Sequence, residues 1–195
     1  MKKFFVLFLW VLTPAFAAAA LAPTRMEVPV LKTQGTVEFL AIGRPSAIRI
    51  RGKGIGAEGK IVVTPAGGQW VADGTLSFEL ESLDTGMNKR NEHMKEKYLE
   101  VGKFPKAELT LAQVTFADTP GKETEFPFKG TLSLHGIQKT VEGKAKVTHA
   151  GDHFKAHAEF ALKLKDFAFG IPSFAGITVA DEVTVTVEFE SLTKE

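Results

Sequence analysis

Three histidines four residues apart, His149, His153 and His157, are the first group in this sequence that could do chemistry, because clustered imidazoles can share a metal ion. A tetrahedral site would need all three on one face. Val141, Ala145 and Val147 share odd positions with His149, whereas the next segment is apolar at even positions from Phe154 onward. His149 is therefore expected to point inward, and His153 and His157 outward with Lys155 and Glu159, so no metal site is expected. The sequence has no Gly-x-Ser-x-Gly, no His-Glu-x-x-His, no Gly-x-x-x-x-Gly-Lys-Ser/Thr and no cysteine. Gly52, Gly54 and Gly56 make a glycine-rich passage, but no phosphate-binding helix pattern follows, which predicts a turn. The inward positions carry almost no ionisable side chain for acid–base work. No catalytic residue, enzyme activity or cofactor is expected.

The elements that position these residues read as strands. Ile48 and Ile50 alternate with Arg49 and Arg51; Leu76, Phe78 and Leu80 alternate with Ser77, Glu79 and Glu81; Val183, Val185, Val187 and Phe189 alternate with Thr184, Thr186 and Glu188. Alternation gives each strand one apolar and one wet face. Turn signals at residues 65–68, 120–121 and 150–152 punctuate the segments. Strands are expected near residues 36–42, 48–54, 58–64, 69–82, 107–117, 126–135, 140–149, 153–165 and 183–191, counted as about eight because the first can extend its neighbour. Long one-faced strands joined by short turns predict an all-β fold, an antiparallel up-and-down barrel, with a two-sheet sandwich as the competing arrangement.

One passage departs from this pattern. "NKRNEHMKEKYLEVGKFPKAEL" (88–109) is densely charged, with Met94, Tyr98 and Val101 about one helical turn apart. One amphipathic helix is expected over residues 88–101, stopped by Gly102 and Pro105. It would lie either as a plug on a barrel end or beside an entrance to the interior.

At the N-terminus, Lys2 and Lys3 precede an apolar run over residues 4–12, then Pro14 and the small-residue pattern Ala15, Phe16, Ala17. This is the layout of an export signal over residues 1–17, cleaved after Ala17 or, as second choice, Ala20; the run is too short to span a bilayer. Residues 18–195 then form one domain with no integral membrane segment. Loss of the two lysines moves the formal charge from +1 to −1, leaving no electrostatic footprint for nucleic acid or for an acidic membrane surface. An exported, cysteine-free chain of this size suits a bacterial periplasm.

Three stretches, "LDTGMNKRNEHMKEKYLEVGKFPKAEL" (83–109), "GTLSLHGIQKTVEG" (130–143) and "FALKLKDFAFGIPSFAGITVADEVTVTVEFE" (160–190), carry a family resemblance. Their order and spacing resemble the YceI-like, polyisoprenoid-binding, lipocalin-like proteins of bacteria. Gly35 and Thr36 stand where many members have a His-Ser pair, and Asn91 where an Asp is common. The resemblance implies a lipocalin-like barrel around an elongated apolar tunnel that holds an isoprenoid or similar lipid, and no catalytic residues. His135 and Gly136 match its pattern and read plainly as a strand-end turn.

Parity assigns the walls of such a tunnel. Leu76, Phe78 and Leu80 come from one strand, Leu109 and Leu111 from the next, and Phe128, Leu132 and Leu134 from a third. Phe154, Phe160 and Leu162, then Val185 and Phe189, complete the strands, while Phe169 and Phe174 come from the loop between the last two. Met94 and Tyr98 of the helix would face the lipid chain, and Lys89, Arg90 and His93 would meet a polar or anionic headgroup. The expected function is a periplasmic, non-enzymatic protein that carries or sequesters a polyisoprenoid, isoprenoid quinone or fatty lipid. The alternative is an envelope interaction module, such as a homodimer, with a side-chain-filled barrel and no ligand.

Overall fold

The computed structural model describes residues 24–45, 48–174 and 176–192, so the expected export signal lies outside it. The strands are β1 (Met26–Val30), β2 (Gly35–Arg44), β3 (Ile48–Ile55), β4 (Glu58–Ala66), β5 (Gln69–Glu79), β6 (Lys106–Ala117), β7 (Thr124–Leu134), β8 (Ile137–Ala150), β9 (His153–Lys163), β10 (Ser173–Phe174) and β11 (Ile177–Leu192). Ten of them form one curled antiparallel sheet in the order β1-β4-β5-β6-β7-β8-β9-β11-β2-β3, with β10 hairpinned onto β11. The fold is the expected all-β, lipocalin-like one, but with ten main strands rather than eight.

The extra strands have physical reasons for escaping notice. β1 is five residues long and contains Pro29, which lacks an N–H and is tolerated because β1 is an edge strand, laddered only to β4. The last strand begins at Ile177, not 183, because a bulge between Val179 and Val183 breaks the alternation there.

Strands β4 to β9 each ladder to their neighbours in sequence, β11 then pairs with β2, and the seam lies between the two edge strands, β1 and β3. In hydrogen bonding the sheet is thus a half-barrel, completed by local contacts. Gly56 and Ala57 both donate their amides to the Gly35 carbonyl, at 2.9 and 3.2 Å. Lys53 and Asp84 exchange two backbone hydrogen bonds of 2.9 Å. The Ser191 hydroxyl reaches the Pro29 carbonyl and ties β11 to β1.

The turn expected over residues 52–56 is instead strand as far as Ile55. Its glycines serve packing. Gly52 sits opposite Phe39 in the β2–β3 ladder and leaves room for that ring. A Cβ on Gly54 would lie 2.5 Å from Phe78 Cζ, which reaches across the seam.

One half of the barrel is filled. Phe116 stacks on Phe126 with centroids 4.9 Å apart, His149 stacks on Phe154 at 5.4 Å, and Trp70 meets His149 edge-on at 6.2 Å. Phe116 is inward only because of a second bulge. Gln113, at φ 54°, donates its backbone N–H to the Asp73 carboxylate at 2.9 Å, which moves the inward set of β6 from Leu109 to Val114 and Phe116. His149 is buried, with Nε2 3.1 Å from Asp118 Oδ1. His153 and His157 point outward, 2.9 and 2.8 Å from Glu190 and Glu188.

Candidate functional site

The other half of the barrel is hollow. A cavity of about 400 Å³ lies between the inward faces of β2, β3, β5, β6, β7, β9 and β11, a size typical of small-molecule sites. Its walls come from the expected alternation: Leu76 and Phe78 with the adjoining Leu80, then Leu109, Leu132 and Leu134, Phe160 and Leu162, and Val185. Phe169 lines it from the loop before β10, and Met94 and Tyr98 from the helical passage. Ile48 and Met87 line the cavity yet are 39% and 48% exposed, which locates its mouth between the β2–β3 hairpin and the turn before the helix.

Several expected wall residues lie elsewhere. Phe128, Phe154 and Phe189 are inward and buried but do not border the void. Phe128 packs edge-on to Phe160, and Phe154 belongs to the filled half, so equal parity does not mean equal depth. Leu111 is half-buried next to the β6 bulge and does not border the cavity. Phe174 lies in β10, and its side chain falls outside the described ones. Val37, Phe39 and Ala41 of β2 and Ile50 of β3 do line the cavity. The alternation of Val37, Phe39 and Ala41 along β2 and of Ile48 and Ile50 along β3 is the sequence signal for these positions.

The helical passage is shorter and less regular than expected. Helix α1 spans Asn88–Glu92 and runs into a π-helical turn, His93–Tyr98. The wider turn, with the Leu99 amide on the Met94 carbonyl at 2.8 Å, brings Leu99 as well as Tyr98 to the cavity. A period of 3.6 residues does not foresee that. The Tyr98 hydroxyl accepts from the Ser173 amide at 3.1 Å and so latches the passage to β10 across the top of the cavity.

Arg90 and His93 line the cavity, whereas Lys89 is exposed and paired with Glu92 at 3.2 Å. Arg90 is not a free cation: its Nε donates to the Thr85 hydroxyl at 2.8 Å and a terminal nitrogen to the Thr85 carbonyl at 2.5 Å. Asn91 completes this knot. Its oxygen accepts from the Thr85 amide and hydroxyl at 2.8 and 2.7 Å, and its nitrogen donates to Asp84 at 2.7 Å. An aspartate cannot donate and would set a second carboxylate against Asp84. Asn91→Asp should therefore destabilise the protein by about 1–2 kcal/mol, read from the urea midpoint, and a neutral result would remove this role.

A second knot closes the same end. His135 and Gly136 form the two-residue β7–β8 turn, both at positive φ, 53° and 73°. His135 Nδ1 lies 3.0 Å from the Phe167 carbonyl and Nε2 3.0 Å from the Glu100 carboxylate. Phe104 and Phe169 flank the ring at 4.5 and 4.7 Å. The strand-end turn thus joins the end of the helical passage to the loop that supplies Phe169.

Hydrogen bonds, first from Lys103 and then from His135, hold the Glu100 carboxyl below its ordinary range; those from Asn91 and the Gly86 amide do the same for Asp84. A carboxylate more acidic in the folded state contributes stability that is complete above its ordinary value and lost as pH falls through the lower folded one. Denaturant midpoints should accordingly fall further on acidification below pH 4.5 for the wild type than for Glu100→Gln. Equal falls would contradict the linkage.

What the arrangement can do chemically is hold an apolar body. Among the lining residues the titratable groups are Arg90, His93 and Tyr98, and none is a carboxylate. Among the described residues, no helix is long and apolar enough to cross a membrane.

Comparison with known proteins agrees with this architecture. A protein YceI of Salmonella arizonae is 33% identical over 101 residues, 47% of this chain and 49% of that protein, and the same figures hold for a protein YceI of Salmonella newport. The match spans about half the length of these curated relatives. Among solved structures, a polyisoprenoid-binding domain from Saccharophagus degradans implicated in plant cell wall breakdown superposes with a TM-score of 0.65 at 14% identity, covering 87% of this chain and 99% of that one. BcnA of Burkholderia cenocepacia gives 0.63 at 17% identity, covering 80% and 95%. Both likenesses concern the fold. The model of the YceI-like domain matches residues 30–191, nearly the whole of the barrel, and the chain therefore belongs to the YceI-like family.

Proposed function

We propose that this chain is a periplasmic, non-enzymatic protein that carries or sequesters a polyisoprenoid, isoprenoid quinone or similar long-chain lipid in the hollow half of its barrel. The observation that carries this reading is the apolar cavity of about 400 Å³ with a mouth beside α1. Membership of a family with a polyisoprenoid-binding domain among its structural neighbours supports the same class of ligand. The energetics suffice: ten methylenes moved from water contribute ~8 kcal/mol at ~0.8 each, about micromolar affinity before ordering losses. A polar headgroup would lie at the mouth beside Arg90 and His93, with Lys89 further out and already paired.

The test is native mass spectrometry of the mature protein taken from its own periplasm, with solvent extraction and identification of the lipid. A stoichiometric isoprenoid-type adduct is expected. A clean unliganded mass, with no later uptake of polyprenyl lipids, would replace this reading with a ligand-free interaction module.

A further inference from the structure

The described residues include six large apolar side chains that are exposed; two of them, Ile48 and Met87, line the cavity at its mouth, and a third, Ile171, adjoins the lining residue Pro172. Ile48 follows the β2–β3 hairpin tip, Met87 precedes α1, and Ile171 precedes the Pro172 that lines the cavity. They are 39%, 48% and 45% exposed, one on each of three separate chain segments. Apolar side chains gathered from separate segments onto one rim mark a surface that meets something apolar.

The whole chain is near neutral and its sequence predicts no footprint for an acidic membrane surface, but the fold gathers a local basic flank beside this rim. On the outer face of the β2–β3 hairpin, Arg49 pairs across the ladder with Ile42 and Arg51 with Leu40, while Arg44 lies at the tip. All three arginines are exposed, and none makes an ion pair among the described residues, unlike Lys53 further along β3, which holds Glu38 at 2.7 Å. Of three carboxylates on neighbouring segments, Glu92 is ion-paired with Lys89, while Asp84 and Asp181 accept from the neutral Asn91 amide and Lys165 backbone amide and keep their charge, so the three arginines outnumber the uncompensated acids. The outer face near the mouth therefore alternates aliphatic and unpaired cationic groups, the composition of a surface that sits at a lipid headgroup layer.

We propose that the mouth end of the barrel docks on an anionic phospholipid bilayer, with Ile48, Met87 and Ile171 entering the headgroup region and Arg44, Arg49 and Arg51 contacting lipid phosphates. This rests on the reading of the cavity as a lipid site. It adds the donor or acceptor surface: an apolar rim pressed onto the bilayer lets a chain pass into the cavity without crossing water.

The test is co-sedimentation of the mature protein with vesicles of phosphatidylcholine alone and of phosphatidylcholine mixed with phosphatidylglycerol, for the wild type and for Arg49→Glu combined with Arg51→Glu. Both substitutions lie outside the cavity. The wild type should sediment with the anionic vesicles only, and the double variant should bind them at least tenfold more weakly, since each basic residue near an anionic surface contributes about a factor of five. Uptake of a water-soluble apolar dye, measured on the same samples, should be unchanged. Absence of wild-type binding, or equal binding of wild type and variant, would overturn the docking surface. So would a vesicle-free wild-type dimer, seen by sedimentation, that the substitutions abolish, because a second copy would then own the rim. Dye uptake judges the cavity separately, so either proposal can fail alone.

Discussion

Ala41→Trp should abolish most lipid or dye uptake while leaving the barrel folded. Ala41 is buried on β2, opposite Ile50 of β3 and Val183 of β11, and its methyl borders the void. An indole built there extends into empty space instead of into packed neighbours. The usual overpacking loss of about 1–3 kcal/mol should thus be largely avoided. An indole in the cavity excludes about three or four methylenes of ligand, worth ~2.5–3 kcal/mol, and affinity should fall roughly 100-fold.

The comparison variant is Phe154→Ala in the filled half, which removes the ring stacked on His149. It should destabilise the protein by about 3–5 kcal/mol, yet spare affinity at temperatures where it is folded. Isothermal titration with a polyprenyl alcohol, alongside thermal melts, separates the two. If Phe154→Ala lost affinity and Ala41→Trp kept it, the hollow and filled halves would be assigned the wrong way round.

That contrast also marks how far the sequence could be read. Period two is a property of each strand alone, so it separated inside from outside well: Leu76, Phe78, Phe154, Phe160 and Phe189 are all buried, and His153 and His157 face out. Depth along the barrel is a property of the register between strands. No local pattern could say that Phe160 borders a void while Phe154, on the same face of the same strand, packs against His149. Bulges hid for the same reason, since Gln113 shifts parity in β6 only because Asp73 on β5 holds its amide. The glycines of β3 looked like a turn because their purpose lies across the sheet, in the rings of Phe39 and Phe78. Arg90 reads in the sequence as a headgroup cation and Asn91 as a departure from the family pattern, and only the fold shows that much of their hydrogen bonding is spent on each other's neighbours Asp84 and Thr85.

The largest stability effect from a polar residue is expected at His135. From the β7–β8 turn its ring touches both the end of the helical passage, through Glu100, and the loop before β10, through the Phe167 carbonyl. His135→Ala leaves a gap between Phe104 and Phe169 and strips a donor from Phe167, whose residue is 1% exposed. Loss of ring packing and of a hydrogen bond together should destabilise by about 3 kcal/mol. For a chain of this length that lowers Tm by roughly 6–12 °C. His135→Phe keeps the ring between the two phenylalanines but not the donors, and should recover part of the loss. Because Phe169 lines the cavity, His135→Ala should also weaken apolar dye uptake several-fold at temperatures below the melt. His135→Phe should take up dye almost as well as the wild type, since the ring that supports Phe169 is still present. Equal dye uptake by wild type and His135→Ala would confine His135 to the turn and leave the cavity roof supported by Tyr98 and Ser173.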